Sequence, residues 1–209
     1  IKAAMSKPQP HRARPSGKLK HWGEVFEICT SPESNLGKAA DEYKGLKVFR
    51  VTKESNFGDP AIASAIKEQI RARPGCSLHG SLPCTVWSTW QNMAIARYGI
   101  KYQKKLDFRR AESIVLLKNF IACAEIALAQ GGEVSFEWPK NCLGWLRPEL
   151  IEFITKHNLF SVLVDGCATG MCAQNGDPIL KQWRFVTSSH RQSVSLAELR
   201  CKHDKEFKH

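Results

Sequence analysis

The sequence predicts an α/β protein with a Rossmann-like, mostly parallel sheet and helices on both faces. Two observations carry this. Short apolar runs rich in β-branched and aromatic residues alternate with segments of helical period, and Gly, Pro, Ser and Asn clusters separate them. Strands and helices alternating at this spacing imply βαβ units. The 209 residues suffice for one core without staples.

The elements follow in order. Residues 1–20 carry Pro8, Pro10, Pro15 and clustered Lys/Arg, and are expected to form a disordered basic arm. The α/β domain is expected over residues 21–190. Its first strand is Gly23–Cys29. A polar turn follows, with Ser34 or Asn35 able to cap a short helix reaching Tyr43. Leu46–Thr52 (LKVFRVT) is the second strand. Pro60 suits the first turn of a helix to about Arg73, with Ile62, Ile66 and Ile70 on one face. Cys76–Gly80 is a strand leading into Ser81-Leu82-Pro83-Cys84.

Residues 85–107 read as a long surface loop with some helix, and a loop of that length points to function. Asp107–Gln130 is the clearest helix, with Ile114, Leu117, Ile121 and Leu128 on one stripe and Gly131-Gly132 as its stop. Glu133–Glu137 is a strand running into Trp138-Pro139. Pro148 opens a helix to about His157, and Leu159–Val164 and Ile179–Thr187 are the last strands. Residues 191–209 read as a polar basic tail with one helical turn near Leu196–Leu199. There is no internal repeat.

Composition narrows the partners. The formal net charge is +11, from 31 Lys and Arg against 20 Asp and Glu. A polyanion is the expected partner, nucleic acid first, although much of the charge sits at the two ends. No run approaches the roughly 18 apolar residues of a membrane span, so no membrane partner is expected. The N-terminal segment lacks a signal-peptide centre, and Ile at position 1 is what a fragment or a processed product would show. Eight scattered cysteines fit reduced thiols in an intracellular compartment, the nucleus included. Cys76-x-x-His79 and Cys167-x4-Cys172 are the nearest pairs to a metal motif. Without a CxxC pair, no metal is expected.

Several chemistries are absent from the motifs. There is no GxxxxGK[ST], no GxGxxG after the first strand, no GxSxG and no HExxH. What remains is a set of polar residues at strand ends: Glu27, Cys84 and Glu137. Cys84 stands in a Pro83-Cys84 pair after a strand, and Glu137 opens Glu137-Trp138-Pro139 at the end of another.

On these residues the chain resembles the S-adenosylmethionine-dependent methyltransferases, and among them the cytosine-C5 DNA methyltransferases. It is similar to the methyltransferase-like segments of some retrotransposons and phages. The resemblance spans roughly residues 22–190 and extends to Asp107-Phe108-Arg109-Arg110 and its helix. It implies S-adenosylmethionine as cofactor, Cys84 as nucleophile after Pro83, and Glu137 as the carboxyl group that contacts the target base. A thiolate adding to cytosine C6 activates C5 toward the methyl donor, which is work for a low-pKa cysteine.

The resemblance further implies a donor site near Glu27, Cys29, Glu54, Asp59 and Ser81. Trp87 and Trp90 are available for stacking on a flipped base. Lys104, Lys105, Arg109 and Arg184 are the basic groups for nucleic acid, with DNA favoured over RNA. The turn after the first strand lacks the family's glycines, and Thr85 stands where a Gln is usual. Two alternatives stay open. One is an amino-group methyltransferase, whose [Asp/Asn/Ser]-Pro-Pro-aromatic motif is partly matched by Ser81-Leu82-Pro83-Cys84. The other is an inactive methyltransferase fold that binds nucleic acid.

Overall fold

The computed structural model describes residues 23–203 apart from Lys44. The basic arm expected over residues 1–20 lies outside them, as do residues 204–209. Six strands form one sheet: β1 (Gly23–Thr30), β2 (Leu46–Thr52), β3 (Ser77–Gly80), β4 (Val134–Pro139), β5 (Phe160–Asp165) and β6 (Gln182–Thr187). Their spatial order is β2-β1-β3-β4-β6-β5. Among the described residues five α-helices accompany them: α1 (Asn35–Ala40), α2 (Pro60–Arg71), α3 (Trp90–Ala129), α4 (Pro148–Lys156) and α5 (His190–Ala197). None is long and apolar enough to cross a membrane.

The sheet is mixed, which corrects the expectation of a mostly parallel one. The β1–β2, β1–β3 and β3–β4 ladders are parallel, but β6 runs antiparallel to both β4 and β5. The cause lies in the β5–β6 connection. A parallel return needs a crossover, usually a helix packed on the sheet. Residues 166–181 instead carry Gly166, Gly170, Gly176 and Pro178 and fold back at one end of the sheet, with an isolated bridge between Cys172 and Pro178.

Strand alternation assigns the two faces. Phe26, Ile28, Leu78 and Phe136 join Ile66, Ile70, Leu117, Phe120, Leu150 and Phe153 in one buried cluster under α2, α3 and α4. Each such side chain contributes on the order of 1.5–3 kcal/mol. The helix crosses β3 so closely that a Cβ on Gly80 would lie 2.4 Å from the Phe120 ring. The other face carries a polar row, with Glu27 beside His79 and His79 beside Ser135. His79 Nδ1 and Ser135 Oγ lie 2.8 Å apart, and burial lowers the His79 pKa, so this ring is neutral near pH 7.

Local chemistry explains the helix starts. The Ser34 hydroxyl accepts from Gly37 N at 3.0 Å to cap α1. Asp59 Oδ1 accepts from Ala61 N and Ile62 N ahead of Pro60 in α2. Two expectations fail. Residues 85–107 are helical from Trp90 onward, broken only at Gly99 (φ 67°, ψ −158°). The core-facing side of this stretch is narrow, Gln91 and Leu106 with Ile95 and Tyr102 partly buried, while Trp90, Met93, Tyr98, Ile100 and Phe108 face solvent and mask the period. The region after residue 190, expected as a polar tail, begins with α5. Ser189 caps it through Gln192 N, and Asp165 N donates to Leu199 O at 2.9 Å just beyond it.

Candidate functional site

β1 has β2 on one side and β3 on the other, so the connections that leave this point diverge. In open α/β sheets ligands bind outside the carboxyl ends of the strands at such a point. A cleft of about 770 Å³ lies there, within the size range of small-molecule sites. The end of β1 (Cys29, Thr30), the end of β2 (Thr52, Lys53) and the turn Asn56-Phe57-Gly58-Asp59 line it. Pro83 and three side chains of α3, Glu112, Val115 and Leu116, complete the lining.

Its backbone is unusual. Cys29 has φ 60° and Asn56 φ 44°, and these are two of the three non-glycine residues with positive φ among the described residues. The Cys29 conformation produces a register shift between Ile28 and Thr30 against β2. It supplies the left-handed turn that a glycine would otherwise provide. Strain of this kind costs on the order of 1–3 kcal/mol and concentrates at ligand sites. Burial pushes the Cys29 thiol up to about 12, so it is not a nucleophile.

The second half of the site lies one strand over. The Ser81 hydroxyl donates to Glu137 Oε1 at 2.5 Å, joining the loop after β3 to β4. The Trp138 indole donates to Leu82 O at 2.6 Å and fixes the same loop from below. Glu137 Oε2 is buried and has no hydrogen-bond partner. Burial raises the Glu137 carboxyl above its ordinary range, against the Ser81 hydrogen bond and the charge of Lys181. Cys84 is half-buried beside it. Burial raises this thiol too, with Glu137 adding to the rise, while its own backbone N–H and Lys181 oppose it. The expected low-pKa thiolate is therefore absent from this arrangement: Cys84 is a protonated thiol near neutral pH.

The remaining residues divide. Asp59 lines the cleft, but its Oδ1 is committed to capping α2. Glu54 follows β2 without lining the cleft, and its carboxyl is lowered by the Thr52 hydroxyl at 2.5 Å. Glu27 does not reach the cleft. It lies on the other face, where it accepts from Thr30 Oγ1 at 2.8 Å and Ser34 Oγ at 2.6 Å. Ser81 bonds Glu137 and does not line the cleft.

Trp87 is buried, with its indole on Ser113 Oγ at 2.8 Å and Arg110 and Arg147 over its ring, so it has no face for a base. Trp90 is 73% exposed. Lys104, Lys105 and Arg109 are exposed on α3. Arg184 is held by Ser161 Oγ at 2.9 Å and stacks over Trp145, and burial lowers its pKa. It is a packing residue between β5 and β6.

Three contributors escaped the sequence reading. Lys181 reaches Glu137 and Cys84 because β6 runs antiparallel and so begins where β4 ends. Cys142 lies near the same pair, its thiol pushed to about 12 by burial against the hydrogen bond from the Gly144 backbone. Asn56 enters through its left-handed turn. Only the asparagine carried a local signal, as the residue other than glycine that tolerates that backbone. Comparison of the chain with protein-family models, curated proteins and solved structures finds no match.

Proposed function

We propose that the chain is a nucleic-acid methyltransferase of Rossmann-like fold, with S-adenosylmethionine in the cleft at the ends of β1 and β2 and the target base against Glu137. The observation that carries this is the buried, unpartnered Oε2 of Glu137, whose Oε1 accepts from Ser81 two positions before the Pro83 that lines that cleft. A buried polar atom without a partner costs on the order of 1–3 kcal/mol, and a ligand group that completes its hydrogen bonding removes that cost. Burial raises the Glu137 carboxyl and so favours its protonated form, in which one oxygen donates to a ring nitrogen of a base while the other accepts.

The cleft is large enough for the donor, with polar groups on Thr52, Lys53 and Asn56 and apolar surface on Phe57, Val115 and Leu116. When bound, S-adenosylmethionine supplies the methyl group. The chain orients the base against Glu137 and excludes water from it. Nucleic acid fits the exposed first part of α3, where Trp90, Tyr98 and Phe108 alternate with Lys101, Lys104, Lys105 and Arg109. Gln91 ties this arm to the Pro83-Cys84 loop through Thr85 O at 2.8 Å, and the Tyr102 hydroxyl donates to Gln91 at 2.6 Å.

Which atom receives the methyl group turns on Cys84. Transfer to cytosine C5 uses its thiolate, which requires base binding to remove the proton. The raised thiol favours a second reading, transfer to an exocyclic amine, in which Ser81 and Glu137 accept the amine hydrogens and Cys84 stays neutral. Donor binding is tested by thermal unfolding. At 100 times its dissociation constant, S-adenosylmethionine adds about 2.7 kcal/mol. For a chain of this size that is a rise of about 5–10 °C. Val115→Trp, which fills the cleft, abolishes the rise. An unchanged melting temperature in the wild-type chain at millimolar donor removes the proposal.

A further inference from the structure

We infer that Cys167, Cys201 and His203 form a zinc site that clamps the segment after α5 to the loop after β5. This inference does not depend on the methyl-transfer reading. The two thiol sulfurs and an imidazole nitrogen all lie within 4.8 Å of one another. Cys201 Sγ and His203 Nδ1 are 3.3 Å apart. In a tetrahedral zinc centre, with zinc–sulfur and zinc–nitrogen bonds of about 2.3 and 2.0 Å, neighbouring ligand atoms stand about 3.5 Å apart. The cluster needs only small side-chain movements to reach that geometry.

The backbone that presents these side chains is built around a buried carboxylate. Asp165, at the end of β5, accepts from Cys201 N at 2.8 Å, Arg200 Nε at 2.8 Å and Gln182 Nε2 at 2.7 Å. Its own N–H donates to Leu199 O. Asp165 therefore fixes the segment carrying Cys201 beside the loop carrying Cys167. That loop is held in turn by Gly166 N on Lys181 O at 2.7 Å and Met171 N on Gly166 O at 2.9 Å. The cluster borders a surface cleft of about 470 Å³, so a metal ion and a fourth ligand have access.

Two thiolates and an imidazole select zinc over the hard cations magnesium and calcium, which take oxygen ligands. Binding releases the thiol protons to solvent and changes no oxidation state. Neither sequence pair with metal-like spacing contributes as a pair. Cys76 is in the core with its sulfur toward Ile70 O, and Cys172 is exposed in the 166–181 loop with its sulfur toward Gly170 O. The site joins positions 34 and 36 residues apart, beyond the reach of a spacing motif.

The test uses the full chain, reduced and offered zinc, with the metal counted after gel filtration and cobalt substituted for spectroscopy. The expected result is one zinc per chain, a thiolate-to-cobalt charge-transfer band, and a melting temperature that rises with zinc. Cys167→Ala and Cys201→Ala each weaken binding by more than about 100-fold, and Asp165→Asn by about tenfold through the lost support. Cys172→Ser binds as the wild type does, and His203→Cys retains the metal, which separates ligand loss from misfolding. No zinc on the reduced wild-type chain overturns the inference. So does undiminished zinc on the Cys167→Ala/Cys201→Ala double variant, or a Cys167–Cys201 disulfide forming in preference when air and zinc are offered together.

Discussion

The indole nitrogen of Trp138 donates to the carbonyl of Leu82 at 2.6 Å, across 56 positions of sequence. This bond couples the two halves of the candidate site. Trp138 is in β4 next to Glu137, and Leu82 precedes Pro83-Cys84. Both groups are buried, so removing the donor leaves the Leu82 carbonyl without its partner. Trp138→Phe is expected to lower stability by about 1–3 kcal/mol, with some further loss from the edge-on contacts to Phe136 and Trp145. Urea unfolding measures it as a lower midpoint. A midpoint unchanged from wild type means the bond does not hold the loop.

Glu137 should make stability fall as pH rises. Its folded carboxyl is raised above the ordinary glutamate range, chiefly by burial. The folded state therefore binds the proton more tightly than the unfolded chain. The resulting stabilisation is complete below the unfolded pKa and is lost as pH climbs through the folded one. Glu137→Gln keeps the shape without the charge. It should melt higher than wild type at pH 8, with the difference closing toward pH 4. Equal melting temperatures throughout would show that the carboxyl is not desolvated.

Cys29 provides a test of the strained turn. At φ 60° an L-residue carries a cost that glycine avoids. Cys29→Gly and Cys29→Ala both remove the thiol, but only alanine retains the strain. The glycine variant should be about 1 kcal/mol more stable than the alanine variant, reversing their usual order in a strand. Denaturant titration of the two decides it, and alanine being the more stable would place the turn in ordinary extended backbone.

The exposed arm of α3 should carry nucleic-acid contacts, and Trp87 should not. Trp90→Ala is expected to cost about 1–3 kcal/mol of single-strand affinity if a base stacks there. Lys104→Ala/Lys105→Ala should reduce the salt slope by about 2. Arg184→Gln should leave that slope unchanged, because this side chain packs on Trp145. Fluorescence anisotropy at several salt concentrations reads all three. A slope unaltered by the double lysine change would move the interface off this helix.

Much of the fold was legible because burial imprints period. Leu46–Thr52 matches β2 residue for residue, and Pro60, with Ile66 and Ile70, marks α2. The failures have one physical source each. Trp90–Leu106 hides its helix because most of its large apolar side chains face water, and only Leu106, with Ile95 and Tyr102 in part, turns to the core. The reversal at β6 depends on where a turn-rich loop goes, which no local pattern encodes. At the site, Cys84 and Glu137 were readable as strand-end residues, and the pairing of β3 with β4 brings the loop after β3 beside Glu137. Trp87 misled because an aromatic after a loop reads alike whether its ring is free or, as here, enclosed by Ser113, Arg110 and Arg147. Lys181 and the Cys167–Cys201–His203 cluster arise from long-range topology alone.

Methyl transfer itself tests the central claim most directly. The full chain is incubated with methyl-labelled S-adenosylmethionine and mixed DNA and RNA, and the product nucleosides are separated. The account predicts label on a base, with DNA the preferred substrate, and a loss of about 10²-fold or more in Glu137→Gln. Retention of label in Cys84→Ser assigns the exocyclic amine, and its loss assigns cytosine C5. No labelled nucleoside from any nucleic acid, with a folded chain that also fails to bind the donor, contradicts the account.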